Sequence, residues 1–161
     1  MLFRTDRRKH RPRGGHAAVE LALVVLLLTF LLLITVDFGR LFYSYVTIGA
    51  CARNGAIYAS SSPNSQQQSP SYNANVTTAT TTAAQADGGT NLSPLPTVAA
   101  PMYNTTYNGT YTMTAPPTPV GSADGYVQVT VTWTFNTIVT YPGIPSTMNL
   151  SRTVKMRLIP N

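Results

Sequence analysis

The residues best placed to do chemistry sit in a short run near the N-terminus, Arg11-Pro12-Arg13-Gly14-Gly15-His16-Ala17-Ala18-Val19-Glu20. A basic flank ends in a small residue, Gly15. Apolar sequence then begins, and a lone carboxylate stands at the fifth position after that glycine. An acid close to a bilayer interior costs a few kcal/mol and normally has a partner. Two accounts of Glu20 are open. In one it lies a turn inside the membrane interface and reaches out to headgroups. In the other, proteolysis after Gly15 leaves a new α-ammonium on His16. Glu20 then lies about one helical turn from an amine, its own or a neighbour's, and pairs with it.

Nothing else in the chain resembles catalytic machinery. Beyond residue 36 the acids are Asp37, Asp87 and Asp124, and histidine is absent there. The many serines and threonines therefore have no base to activate them. The single cysteine, Cys51, excludes an intramolecular disulfide. The two histidines, His10 and His16, lie in or beside the basic head, which leaves no metal-ligand spacing. We expect no enzyme activity, no cofactor, no metal and no small-molecule substrate.

The elements that position this run follow from charge and hydropathy. The chain has 161 residues, 43% apolar and only 10% charged, with a formal charge of +6. Six bases in residues 1–15 against Asp6 carry +5 of that total. This is the arrangement of a cytoplasmic flank under the positive-inside rule, and it argues against nucleic acid as partner. Ala17 to Val36 holds one charge, Glu20, and neither Gly nor Pro. At about 1.5 Å per residue these residues span roughly 30 Å, the thickness of a bilayer's hydrocarbon core. A secretory leader is disfavoured because the apolar stretch is longer than the usual h-region and no Ala-x-Ala site directly follows. A lipobox at Ile48-Gly49-Ala50-Cys51 is disfavoured too, since it lies well past the end of the apolar stretch.

The helix is expected to continue. Phe38, Leu41, Phe42, Tyr45, Ile48, Ala52, Ala56 and Ala59 recur at three- and four-residue steps, the spacing of one helical face. Gly39, Gly49 and Gly55 each weaken a helix by up to about 1 kcal/mol, but small residues also admit a neighbouring helix. Residues 60–119 are Ser-, Thr-, Asn- and Pro-rich and read as loop, linker or loosely folded strand, with a weak helix from Val76 to Ala86. Tyr103, Tyr107 and Tyr111 line short strands or decorate that loop. Gly125 to Asn136 is the clearest strand, with Val127, Val129, Val131, Trp133 and Phe135 alternating with polar residues. A turn is expected through Tyr141-Pro142-Gly143 and Ile144-Pro145. Leu150 to Ile159 then resumes the alternation, with Arg152, Val154, Met156 and Leu158 on one face. Two such strands need a cover, and the amphipathic half of the helix supplies it.

The expected architecture is α+β, a long N-terminal helix packed on a small antiparallel sheet. Its parts are a basic cytoplasmic leader (1–15), a transmembrane helix (16–37), an amphipathic extension (38–59), the loop region (60–119) and a C-terminal β region (120–161).

Gly15-His16-Ala17-Ala18-Val19-Glu20-Leu21-Ala22-Leu23 resembles the start of TadE-like pseudopilins of the tight-adherence (Flp-type) pilus and secretion system. Asp37-Phe38-Gly39-Arg40 and Ala52-Arg53-Asn54-Gly55-Ala56 are similar to two further segments of that family, and the terminal strands look like its end. Many relatives have Pro, Glu and Arg where this chain has Leu26, Asn54 and Ile57. The resemblance implies a pilin-like fold, cleavage between Gly15 and His16 by a prepilin peptidase and a role for Glu20 in subunit assembly. It also implies a helix interface through Asp37, Phe38, Gly39, Arg40, Arg53 and Gly55. Expected partners are the inner membrane, the peptidase and other pseudopilins or pilus subunits, with the C-terminal region periplasmic or exported into a pilus. The rival account is an unprocessed, single-pass anchored surface domain with a binding or adhesive role, which gives Gly15 and Glu20 no task.

Overall fold

The computed structural model describes residues 14–61, 72–88, 91–112, 125–140, 143 and 145–159. The basic head up to Arg13, Asp124 and most of the expected Tyr141–Pro145 turn lie outside them. The elements, in chain order, are α1 (Gly14–Ser61), α2 (Tyr72–Gly88), β1 (Thr97–Val98), β2 (Met102–Asn104), β3 (Tyr126–Asn136) and β4 (Thr147–Arg157). This is the mixed α+β arrangement that the apolar run and the two alternating segments predict. The chain divides into two compact units, Met1–Phe38 and Gly39–Asn161.

In the first unit the helix is apolar on every side. Residues 15–32 are all exposed, among them Leu21, Leu26 and Leu32. A helix apolar all round requires an apolar surrounding. Its two hydroxyls need no outside partner: Thr29 donates to the Val25 carbonyl and Thr35 to the Leu31 carbonyl, each at 2.8 Å. With the backbone bonded internally as well, this stretch is long and apolar enough to cross a membrane.

The second unit is built on β3. All its pairings are antiparallel: β4 runs along one side of β3, from Asn136↔Thr147 to Tyr126↔Arg157, while β1 and β2 share the other. The period-two pattern puts Val127, Val129, Val131 and Phe135 on one face, joined there by Leu150 of β4. Ile48, Cys51, Ala52, Ala56 and Ala59 of α1 close over that face, and all five are fully buried. The opposite face is polar, with hydroxyl contacts across the strands between Thr130 and Thr153 (2.9 Å) and from Thr134 to Asn149 (2.9 Å).

Two expectations need correction. On α1 the expected face holds from Ile48 onward, with Ile48, Ala52, Ala56 and Ala59 buried and Leu41 packed against the core, but Phe38, Phe42 and Tyr45 do not join it. Phe38 and Phe42 are 68% and 64% exposed and Tyr45 is also open, whereas Ser44 and Thr47 are buried. Those hydroxyls go inside cheaply because they donate to the Arg40 and Tyr43 carbonyls of their own helix, both at 2.9 Å. Small side chains there also let the helix lie close to the sheet.

The 60–119 stretch, expected as loop, linker or loosely folded strand with a weak helix, needs correction only in extent, since α2, β1 and β2 all lie within it. In α2 the weak-helix expectation is extended at both ends, and Val76, Thr80 and Ala84 form a buried stripe at four-residue steps. Among the described residues the Thr80 hydroxyl has no hydrogen-bond partner although its side chain is fully buried. A buried polar group left unmatched costs about 1–3 kcal/mol, so the nearly isosteric Thr80→Val should stabilise the unit by about 1 kcal/mol. Urea unfolding of the detergent-solubilised chain would show this as a raised midpoint with an unchanged slope.

Candidate functional site

Two surfaces are candidates, one in each unit. In the first, Gly15, His16 and Glu20 are all exposed, and a methyl group added at Gly15 would meet nothing within 4 Å. On a helix the step from His16 to Glu20 is about 6 Å along the axis, so the two occupy neighbouring positions on one face. The same unit ends in Asp37, which is buried, and Phe38, which is exposed.

The second surface is the outward side of α1 beyond Gly39. Phe42, Tyr43 and Val46 are each more than half exposed, and Arg53 is exposed between them and Ile57. Gly39 has open space where a side chain would be. The Arg40 guanidinium lies over the Phe135 ring at 5.6 Å, which ties α1 to the end of β3 by a cation–π contact. Gly55 behaves differently. A Cβ there would stand 3.1 Å from the Ala84 Cβ and 3.2 Å from the Val129 Cγ1. Its smallness therefore serves the meeting of α1, α2 and β3 inside this chain, whereas Phe38, Gly39 and Arg53 look outward.

Side chains outside the expected set complete the second surface. The Arg152 guanidinium lies over the Tyr45 ring at 4.7 Å, linking β4 to α1. Its signal in the sequence is a cation on the apolar alternation of β4. On the polar face, Lys155 stands over the rings of Tyr111 (4.8 Å) and Tyr107 (5.4 Å), and Tyr107 packs edge-on to Tyr126. The Asn54 amide donates to the Asp87 carboxylate, joining α1 to α2.

Cys51 is buried where α1 meets the end of α2, and a Cβ on Gly88 would approach its Sγ to 3.1 Å. Burial, and then the nearby Asp87 charge, push its thiol above the ordinary value of 9.0. The raised folded-state value favours the neutral thiol, so this contribution to stability is complete below the unfolded pKa. It fades as pH rises through the folded one. Cys51 should thus resist alkylation near pH 8 in the folded chain and react once urea opens the α1–α2 seam. Mass spectrometry of iodoacetamide-treated samples checks both halves of that expectation.

Residues 15–56 match the family model described as TadE-like protein. The matched span begins at Gly15 and lies wholly within α1, so the TadE-like segment contains both candidate surfaces' helical parts and none of the sheet. TadE-like proteins are structural and assembly components of Tad pili. No curated protein and no solved structure matches the chain.

Proposed function

We propose that this chain is a TadE-like minor pseudopilin, a membrane-anchored component of a Tad (Flp-type) pilus or secretion system. The observation that carries this reading is the TadE-like match itself, which starts at the small residue preceding His16 and runs along α1. In this reading residues 1–15 stay cytoplasmic, the apolar stretch holds the chain in the inner membrane, and the sheet-bearing unit is periplasmic. A prepilin peptidase cuts between Gly15 and His16. The open backbone at Gly15 suits such a cut, because a small residue admits the protease.

Assembly then proceeds by helix packing. The exposed apolar side chains of the first unit exchange lipid for the helices of other subunits. Glu20 meets the new ammonium of His16, on its own chain or a neighbour's, so neither charge is left alone among apolar side chains. No bond is made or broken by this chain; its work is position and self-association.

Intact mass and N-terminal sequencing of the protein recovered from native membranes test the reading. A chain beginning at His16 is expected. A chain still beginning at Met1, in cells with an active prepilin peptidase, rules processing out and leaves a permanently anchored surface domain.

A further inference from the structure

β4 forms the outer side of the sheet, and among the described residues it pairs with β3 alone. The direction of its backbone groups is fixed at both ends of that pairing. The Leu158 N–H donates to the Gly125 carbonyl at 2.8 Å, and the Thr137 N–H donates to the Ser146 carbonyl at 3.0 Å. Even-numbered residues of β4 therefore turn their backbone groups toward β3. Odd-numbered ones, from Thr147 to Arg157, aim N–H and C=O at the open edge. β4 is 11 residues long, and open edges of that length are normally shielded. Arg152, Lys155 and Arg157 discourage pairing with a second copy, because two such edges would bring like charges together along one seam.

Those cations do not account for what lies beside the edge. A groove of about 560 Å³ runs between α1 and β4, walled by Phe42, Tyr45, Val46 and Gly49 on one side and by Arg152 and Val154 on the other. Arg53 also lines it, so the groove carries two guanidinium groups and no acid among its lining residues. It occupies one flank of α1 while α2 packs near Cys51 and Gly55 on the other. The Arg152 guanidinium lies over the Tyr45 ring at 4.7 Å, and a guanidinium held by such a contact can still donate its N–H groups to a carboxylate.

A strand added to β4 would send alternate side chains to opposite faces of the sheet, and one of those sets falls into this groove. We propose that the open edge of β4 accepts an extended segment of another polypeptide, one that places apolar side chains and a carboxylate in the groove between α1 and β4. Backbone pairing along the odd-numbered residues would supply affinity, and the groove would choose the sequence. The interaction requires neither processing at Gly15 nor entry into a filament, so it goes beyond the pseudopilin reading and can fail without it.

The test uses the full chain in detergent micelles and two fluorescent, capped peptides of about eight residues, an ordinary strand length. Both alternate Val with Thr; one carries Asp and the other Lys at a single valine position. Anisotropy titration should show the Asp peptide binding at least about tenfold more tightly than the Lys peptide. Arg53→Glu, on an exposed helical position, should reverse that order. Ser151→Pro removes an outward N–H without touching the β3 ladder and should weaken the Asp peptide by about tenfold or more. Absence of binding, equal binding of both peptides, or an order unchanged by Arg53→Glu overturns the proposal. Dimerisation of the chain in the same micelles, reversed by the Asp peptide and abolished by Ser151→Pro in sedimentation, overturns it as well, by making the edge a self-pairing surface.

Discussion

Replacing Gly55 by leucine should unfold the sheet-bearing unit or leave it barely stable. The position is crowded from two directions at once, by Ala84 of α2 and Val129 of β3, with the Thr80 Cγ2 at 3.5 Å. Neither close neighbour has a flexible end that could swing aside, since Ala84 has only its Cβ and Val129 is held at its branch point. Alanine at this site would gain about 1 kcal/mol of helix propensity and lose a comparable amount to the tight contacts, for a small net change. Leucine adds three further carbons where no space exists. Overpacking of this kind costs about 1–3 kcal/mol and more when the backbone must part, against a total stability of about 5–15 kcal/mol. Gly39→Leu is the matched control, because nothing lies within 4 Å of its Cβ position and helix propensity improves. Thermal unfolding followed by circular dichroism should show a fall of ten degrees or more, as ~10 °C follows from a few kcal/mol in a unit of this size. Equal midpoints for the two variants would mean that α1, α2 and β3 do not meet at Gly55.

The same three-way contact explains why one part of the molecule was legible in its sequence and another was not. β3 announces itself because five large side chains alternate with polar ones and every one of the five turns to the covered face. The membrane stretch does so because it is long and almost free of charge. α2 carries only a faint signal. Its inward stripe is Val76, Thr80 and Ala84, small residues that look like linker composition, and their value appears only when a glycine on another helix meets them. The departure of Phe38, Phe42 and Tyr45 from the buried face of α1 has a related cause. Large residues such as Phe42 mark an apolar stripe in sequence, yet the sheet takes the side with Ser44, Thr47 and Cys51, where close approach is possible. The open edge of β4 was beyond reach for a different reason, since strand order depends on pairings between distant segments. Arg152 was the one local hint, a cation among Val154, Met156 and Leu158 in the alternation.

At the other end of α1, a Gly15→Leu chain should keep Met1 as its first residue, while a Glu20→Ala chain should still be cut after Gly15. The two losses belong to different steps. In the proposed reading, cleavage depends on the protease reaching the Gly15–His16 bond, which a leucine obstructs and a distant alanine does not. Assembly, in that reading, depends on what cleavage leaves behind, an ammonium on His16 about 6 Å along the helix axis from position 20. Breaking a buried charge pair by removing one partner costs about 3–5 kcal/mol, because the remaining charge stays unmatched. That is roughly a hundredfold or more in an association constant. The processed Glu20→Ala chain should therefore remain in the membrane fraction and be nearly absent from sheared pilus material. Glu20→Asp, which keeps the charge on a shorter stem, should recover part of that loss. The decisive comparison is the double variant. An uncut chain has no ammonium at His16, so adding Glu20→Ala to Gly15→Leu should cost assembly nothing further. If the two substitutions instead add independently, Glu20 acts through something other than the new N-terminus, and the headgroup account of that carboxylate takes its place.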